Sequence, residues 1–267
     1  MRISHNFHNS ESWFIVSEHI DLNADLGETT AGNPVADDAA MLGMVSSANV
    51  ATGFHAGDPH SISGTLADAK QHNVVVGAHI AYKDPAGFGR RFIDYDPGEL
   101  ADETLYQIGA LDALARAQGL KVRYVKPHGA LYNTIVHNEK HAQAVIDGIK
   151  AFGDLPIMLL PGGIAVDIAE KAGLRVIREA FADRGYNPDG TLVSRREPNA
   201  VMTDAQQVAD RVLQVASTGA VTAIDGSVVN VQAESVCVHG DSPGSVELTR
   251  SVVAKLKGEG IEIRSFL

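Results

Sequence analysis

The sequence predicts an α/β fold, a TIM-like β/α barrel in a variant form with seven strands or a distorted ring. Short apolar strands alternate with helices about seven times, which is the pattern of a parallel α/β fold. No linker-like composition divides these units, and no G-x-G-x-x-G follows the first strand, which disfavours a Rossmann domain. We expect an N-terminal extension over residues 1–19 and one barrel domain over residues 20–267.

Composition narrows the classes of function. The chain has 267 residues, 45% of them hydrophobic, which is enough for a large buried core. Its formal net charge of −11 argues against nucleic acid or an anionic membrane as a partner. One cysteine, Cys237, excludes an internal disulfide framework and favours a reducing cytoplasm; we expect it to be a small buried hydrophobe. No signal peptide and no membrane span are expected.

The elements follow from local signals. Asp96-Pro97-Gly98-Glu99 has the form of a helix start, with Asp as N-cap and Pro at the first helical position. Thr203 and Gln206 predict a capping box for a later helix, and Asp225-Gly226 predicts a hairpin over residues 221–233. Further helices are expected at 36–47, at about 60–72, at 138–152, before Gly173 and at the C-terminal end. Buried strands are expected at 49–54, 74–76, 122–125, 157–160, 175–179 and 236–238.

The stretch D-L-N-A-D-L-G-E at residues 21–28 carries the densest chemistry. On a strand, Asp21, Asn23 and Asp25 share one face, because side chains alternate with a period of two. Three polar groups on one face suit a cavity or the mouth of a barrel. An Asx-rich turn that caps a helix is the alternative. Glu28 is a weaker candidate than the other three.

Further polar residues follow the later strands. Active sites of β/α barrels lie at the carboxyl ends of the strands. A lone histidine is more often a core residue than a catalyst, but several histidines that converge with acids and a lysine favour a catalytic site. Besides Asp21, Asn23 and Asp25, the candidate catalytic residues are His55, Asp58, His79, Lys126, His128 and His239.

The sequence is compatible with two kinds of ligand, a divalent metal ion and an anion. His55, His79 and His128 would be the ligands of a divalent metal such as zinc or manganese, although no H-E-x-x-H or H-x-H spacing supports one. The G-F-G-R-R segment and the start of the last helix favour anion binding. No Walker-type sequence occurs, so a nucleotide bound by this chain would not be held by a P-loop. The substrate or phosphate candidates are Arg90, Arg91, Asn133, Arg184, Asp241 and Ser242.

Taken together, the motifs resemble the LamB/YcsF family of 5-oxoprolinase A subunits from about residue 21 to the C-terminal end. They are D-L-N-A-D-L-G-E, G-F-H-A-G-D-P, V-G-A-H, G-F-G-R-R, V-K-P-H-G-A-L-Y-N, F-A-D-R and V-C-V-H-G-D-S-P-G. The resemblance implies a barrel of the glycoside hydrolase/deacetylase type. It also implies ATP-dependent opening of 5-oxoproline to L-glutamate, with the 5-oxoprolinase subunits B and C as partners; self-association is left open.

Some positions depart from the family pattern. Thr52 stands where a Cys is usual, so a thiol nucleophile is not expected there, and Ile80-Ala81 replaces the usual Pro-Gly or Pro-Ser. In the expected reaction Asp25 or Asp21 is the general base on water. His55, His79 or His128 protonates the ring nitrogen or orients the water, and Lys126 with an arginine holds negative charge on oxygen or phosphate. Two alternatives remain, a stand-alone metal-dependent amidohydrolase or deacetylase and a non-catalytic substrate-binding subunit.

Overall fold

Seven parallel strands form a closed barrel in the computed structural model, which describes residues 18–198, 200–240 and 244–267. Each strand pairs with the next along the chain, and the first pairs with the last, Asp21 lying opposite Ser235. The predicted extension over 1–19 lies almost wholly outside the described residues. The barrel strands are β1 (His19–Leu26), β2 (Ser47–Ala51), β3 (Val75–Ile80), β4 (Tyr124–Pro127), β5 (Ile157–Leu159), β6 (Val176–Phe181) and β7 (Ser235–Cys237). The closed seven-stranded ring confirms the predicted fold class.

Helices cover the outside of the barrel, and none of those described is long and apolar enough to cross a membrane. Asp96 caps a helix through the backbone N–H of Gly98, as predicted. The predicted capping box at Thr203 is wrong: Asp204 is the N-cap, and its carboxylate accepts from the N–H of Gln207. The helices are α1 (Asp38–Leu42), α2 (Pro59–Gln71), α3 (Pro97–Ala117), α4 (Gly129–Thr134), α5 (Glu139–Phe152), α6 (Ile164–Lys171), α7 (Ala205–Thr218) and α8 (Ser245–Gly258), with a 3₁₀ turn at Pro85–Gly87.

One element is shorter than predicted. The helix expected over residues 36–47 ends at Leu42, and Gly43 caps it. Ser47 belongs instead to β2, whose residues are all buried. The apolar residues at the end of the predicted helix therefore do not belong to the apolar face of α1, because the chain leaves the helix there and leads into β2.

Two short hairpins lie outside the ring. Thr29–Thr30 pairs with Asn33–Pro34, directly after β1. Ala220–Thr222 pairs with Val228–Asn230, which confirms the hairpin predicted over 221–233. Neither contributes to the barrel wall.

Side chains of β1 alternate between two environments. Leu22, Ala24 and Leu26 are buried in the main apolar core. Asp21 and Asn23 point the other way and hydrogen-bond to side chains of neighbouring strands. The barrel interior is therefore polar along β1, as the period of two predicts.

The amino-terminal end of the barrel is closed by apolar groups. Tyr124, Met158 and Ile177 form a small buried cluster against Phe266. A last short strand, β8 (Glu262–Ile263), pairs with the start of β1 beside it. A Cβ at Gly77 would lie 2.3 Å from the Tyr124 ring, so this glycine leaves the space that the ring fills. The open end is the carboxyl end of the strands, where the polar residues gather.

Candidate active site

Asp21 lies deep in the barrel, away from the mouth. Its carboxylate is fully buried and accepts hydrogen bonds from the hydroxyls of Ser46, Ser47 and Ser235. Burial raises its pKa to about 6, although the serine hydrogen bonds oppose the rise. Asp25 lies four positions further along β1, or roughly 13 Å away. The structure places Asp21 beside Asn23, which donates to the same Ser235 hydroxyl, and apart from Asp25 and the histidine candidates.

A buried ion network fills the middle of the barrel around Lys126. Its ammonium group lies 2.7 Å from Oε1 of Glu179 and 3.2 Å from Oδ1 of Asp25. It also donates to Oδ1 of Asn23 at 3.1 Å and contacts the sulfur of buried Cys237 at 3.3 Å. The two carboxylates outweigh the effect of burial and hold the pKa of Lys126 well above its usual value. Lys126 is therefore a permanent cation inside the barrel.

Asp25 is the carboxylate that connects this network to the mouth. Its Oδ2 lies 3.2 Å from Nε2 of His79, and Asn49 donates to its Oδ1 at 2.8 Å. Burial alone would raise the pKa of Asp25, but His79 and Lys126 hold it well below the usual range. Asp25 is therefore ionised at neutral pH and lines the cavity described below.

Four buried side chains form a second cluster beside Asp25, which we call the histidine–glutamate cluster: Glu28, His55, His79 and His128. Oε1 of Glu28 lies 2.8 Å from Nε2 of His55, 3.6 Å from Nδ1 of His128 and 4.0 Å from Nε2 of His79. The His55 and His128 rings stack with centroids 3.9 Å apart. Burial holds the pKa values of both rings well below their usual value, so both are neutral at neutral pH.

A loop after β3 covers this cluster. Phe88 stacks edge-on against the rings of His55 and His128, and its carbonyl lies 2.9 Å from Nε2 of His128. Gly89 has φ +64°, and a Cβ there would lie 2.8 Å from atoms of both histidines. The G-F-G part of the G-F-G-R-R motif therefore positions histidines rather than an anion.

The cluster opens into a cavity of about 560 Å³ at the carboxyl ends of the strands. Its lining includes Asp25, Glu28, His79, Lys126 and His128 from the two networks. It also includes further cations and amides: Arg90, Asn133, Arg184, Asn187, Arg195 and His239. A negatively charged ligand in this cavity would therefore meet cations as well as the acid–histidine cluster.

His239 is held in the lining of the cavity by an acid. Its Nδ1 lies 2.7 Å from Oδ1 of Asp183, and Arg195 approaches its Nε2 at 3.3 Å. Burial lowers the pKa of His239, but Asp183 more than offsets this and raises it above its ordinary value. His239 is thus the histidine of the cavity best suited to give up a proton. Arg184 donates to the carbonyls of Val193 and Ala200, which fixes its guanidinium.

Some predicted site residues are not brought together. Asp58 is exposed and serves as the N-cap of α2, where it accepts from the N–H groups of His60 and Ser61. Arg91 does not line the cavity, and its guanidinium pairs with Asp84. Asp241 and Ser242 lie outside the described residues. The predicted anion site therefore rests on Arg90, Asn133 and Arg184.

Sequence reasoning gives too little weight to two acids of the site. Glu28 is a weaker candidate in the sequence because of the loop that follows it, yet the turn at Gly27, with φ +72°, leads directly to its place beside His55. Glu179 escapes notice inside an apolar strand. A charged residue in an otherwise buried strand is the available signal, since such a residue needs a buried partner.

Acids, histidines and a lysine lie at the carboxyl ends of the strands of a closed parallel β/α barrel, which is where β/α-barrel enzymes have their active sites. The chain belongs to the LamB/YcsF family, whose model matches residues 20–267.

Related proteins match this chain over nearly its whole length. It is 69% identical over 249 residues to the 5-oxoprolinase A subunit of Corynebacterium jeikeium, covering 93% of this chain and 96% of that protein. It is 60% identical over 248 residues to the 5-oxoprolinase A subunit of Kocuria rhizophila, covering 92% and 98%. The lactam utilization protein of Thermus thermophilus superposes with a TM-score of 0.89 at 42% identity, covering 93% of this chain and all of that one, 100%.

Proposed function

We propose that this chain is the A subunit of an ATP-dependent 5-oxoprolinase, which hydrolyses the lactam amide of 5-oxo-L-proline to L-glutamate as ATP is cleaved to ADP and phosphate. Subunits B and C would be its partners. The names of the relatives support the substrate and an assembly of several subunits. A cytoplasmic location suits the use of ATP and the single buried thiol, Cys237.

One observation carries the proposal, namely the pairing of ionised Asp25 with protonated Lys126 in the lining of a cavity that also contains arginines. A lactam is a resonance-stabilised amide without a good leaving group. Phosphorylation of its carbonyl oxygen would make the ring carbon electrophilic. One water would attack this carbon and the carbon–nitrogen bond would break, which leaves an acyl phosphate; a second water would release phosphate and L-glutamate from it. The arginines of the lining suit a ligand with carboxylate and phosphate groups, since guanidinium forks match both.

The residues would then divide the work as follows. Asp25 accepts a proton from the attacking water, and its low pKa keeps it ionised throughout the neutral range, although it also makes Asp25 a weak base. His239 donates a proton to the ring nitrogen as the amide bond breaks. Lys126 stabilises the charge that develops on oxygen, because a fixed cation in a water-poor site needs no reorganisation. Arg184 orients the carboxylate or phosphate.

ATP would bind elsewhere in the assembly. The sequence has no Walker motif, and the cavity of about 560 Å³ lies within this one chain. Partner subunits would therefore supply the nucleotide site, and the activated lactam would reach the Asp25 cavity.

The test is ATP-dependent glutamate production from 5-oxoproline by the purified chain with and without subunits B and C. We expect turnover only when all three are present. Asp25→Asn should lower it by about 10²–10⁴-fold, the usual contribution of a general base. Asp102→Asn on the outer surface of α3 removes the same charge and should leave turnover close to that of the wild type.

Other results would contradict the proposal. Normal turnover of Asp25→Asn would exclude this base, and if other cavity variants behaved alike, the chain would be a non-catalytic binding subunit. Hydrolysis of amides by the chain alone, lost with a chelator, would indicate the stand-alone metal-dependent hydrolase. The histidine–glutamate cluster is the observation that favours that second candidate.

A further inference from the structure

The donor atoms of the histidine–glutamate cluster converge on one point. One atom from each of Glu28, His55, His79 and His128 lies within 4.8 Å of every other, and all four side chains are buried. We propose that these four residues form a binding site for one divalent transition-metal ion. The proposal depends on donor geometry and not on the identity of the substrate.

The spacing of the donors fits a single ion. Two ligands of a tetrahedral ion with bonds of about 2.1 Å are roughly 3.4 Å apart. The observed upper limit of 4.8 Å therefore requires the donors to contract by at most about 1.4 Å around an ion. Neighbouring donors already lie closer, with Nε2 of His79 3.0 Å from Nδ1 of His128.

Backbone carbonyls fix which nitrogens face this point. Nδ1 of His79 lies 3.0 Å from the carbonyl of Lys126, and Nε2 of His128 lies 2.9 Å from the carbonyl of Phe88. A carbonyl only accepts, so each of these nitrogens carries the hydrogen. When both rings are neutral, as metal-binding histidines are, the remaining nitrogens, Nε2 of His79 and Nδ1 of His128, present lone pairs to each other. Such backbone contacts are how proteins orient histidines that bind metals.

Two facing lone pairs repel unless something positive lies beside both. The carboxylates make the requirement stronger, because Oδ2 of Asp25 lies 3.2 Å from Nε2 of His79 and Oε1 of Glu28 also faces the cluster. A cation satisfies all of these groups at once. A proton shared between His79 and His128 is the competing solution, and it leaves His55 out.

His55 is the remaining nitrogen donor of the cluster. Its Nε2 faces Oε1 of Glu28 at 2.8 Å, while its buried Nδ1 has no hydrogen-bond partner among the described residues. An ion held by the cluster would bind Nε2 and leave the ring hydrogen on Nδ1. A proton shared between His79 and His128 involves two of the four converging side chains, whereas an ion involves all four.

The donor set selects the kind of ion. Three imidazole nitrogens and one carboxylate oxygen suit zinc and other first-row transition ions, while magnesium and calcium prefer all-oxygen sites. A bound ion of this type would act as a Lewis acid and make a neighbouring water more acidic. The chain's own contribution is to hold the donors, with Gly89 allowing the covering loop to approach His55 and His128.

Metal binding can be measured on the purified chain without substrate or partners. After treatment with chelator, titration calorimetry with zinc chloride should show one equivalent bound, and elemental analysis after dialysis should retain it. Magnesium chloride should bind far more weakly. Glu28→Gln conserves volume and should weaken zinc binding on the order of 100-fold, as should His128→Ala. His60→Ala, which removes an exposed histidine on α2, is the matched control and should bind like the wild type.

A cobalt titration provides a second readout, since its visible absorption reports the donor set and should change in Glu28→Gln but not in His60→Ala. Circular dichroism identifies a variant that has unfolded, and the volume-conserving Glu28→Gln then decides. The metal site is refuted if the wild type binds no zinc, or if both cluster variants bind like the wild type. Zinc binding without lactam turnover in the full assembly would overturn the proposed function alone, and turnover without zinc binding would overturn the metal site alone.

Discussion

Removal of the charge on Lys126 should leave two buried carboxylates without their cationic partner. In Lys126→Met the side chain keeps a similar length, but Glu179 loses a partner at 2.7 Å and Asp25 loses one at 3.2 Å. Breaking a buried ion pair by deleting one member costs about 3–5 kcal/mol. For a chain of this size that loss corresponds to a fall in melting temperature of roughly 6–20 °C.

The pH dependence of this variant provides a sharper signature. Without the lysine, Glu179 and Asp25 repel, so folding favours the protonated form of one of them and raises its pKa. A carboxyl group whose pKa is raised in the folded state stabilises the protein at low pH and loses that contribution as the pH rises. Lys126→Met should therefore lose more stability at about pH 8 than at about pH 5, relative to the wild type.

The double variant Lys126→Met/Glu179→Gln removes one of the two unpaired buried charges. Its free energy of unfolding should exceed that of Lys126→Met by about 0.5–3 kcal/mol, the range found for residues in one network. Urea unfolding followed by circular dichroism at both pH values measures all three proteins. A loss below about 1 kcal/mol in Lys126→Met at the higher pH, or a double variant no more stable than the single one, would refute the ion network as described.

Two other substitutions test the site and the interior. Gly89→Ala should cost about 1–2 kcal/mol of stability because of its left-handed backbone, and it should displace His55 and His128. Zinc binding and turnover should therefore fall together. Gly98→Ala at the start of α3 is the control, because the φ of Gly98 is not positive, and equal effects of the two substitutions would contradict the packing described at Gly89. Asp21→Asn tests the buried carboxyl whose pKa is raised to about 6. Because its ionisation on the way from pH 4 to pH 7 opposes folding, the wild type should lose roughly 2.4 kcal/mol relative to Asp21→Asn over that range. Parallel stability curves would show that the pKa of Asp21 is not perturbed.

The fold was predictable because its signals are local and repeated. The alternation of polar and apolar residues from Asp21 to Leu26 placed β1 and both of its faces correctly. Asp96 and Pro97 placed the start of α3. Seven repeats of strand and helix without a linker then left a closed ring as the natural arrangement. The end of α1 was missed because the turn at Gly43 interrupts an apolar run that reads as continuous helix.

The site was only partly predictable, because its chemistry depends on depth and on packing. Asp21 and Asp25 look equivalent in the sequence, but one meets three serines and the other meets Lys126 and His79. Asp58 follows a strand like the true site residues, yet it turns outward to cap α2. Glu179 joins the site only through its pairing across the barrel with Lys126, which no spacing along the chain reveals.

The apolar packing at the amino-terminal end of the barrel has a consequence for how small molecules reach and leave the cavity. Phe266 packs on Tyr124 at that end, with ring centroids 5.2 Å apart, and among the described residues the cavity opens at the mouth lined by Arg184 and His239. Binding and release through this doorway would share the same passage. If a partner protein covers that doorway to deliver an activated lactam, it must also withdraw before glutamate can escape. The docking and departure of that partner would then set the pace of each cycle.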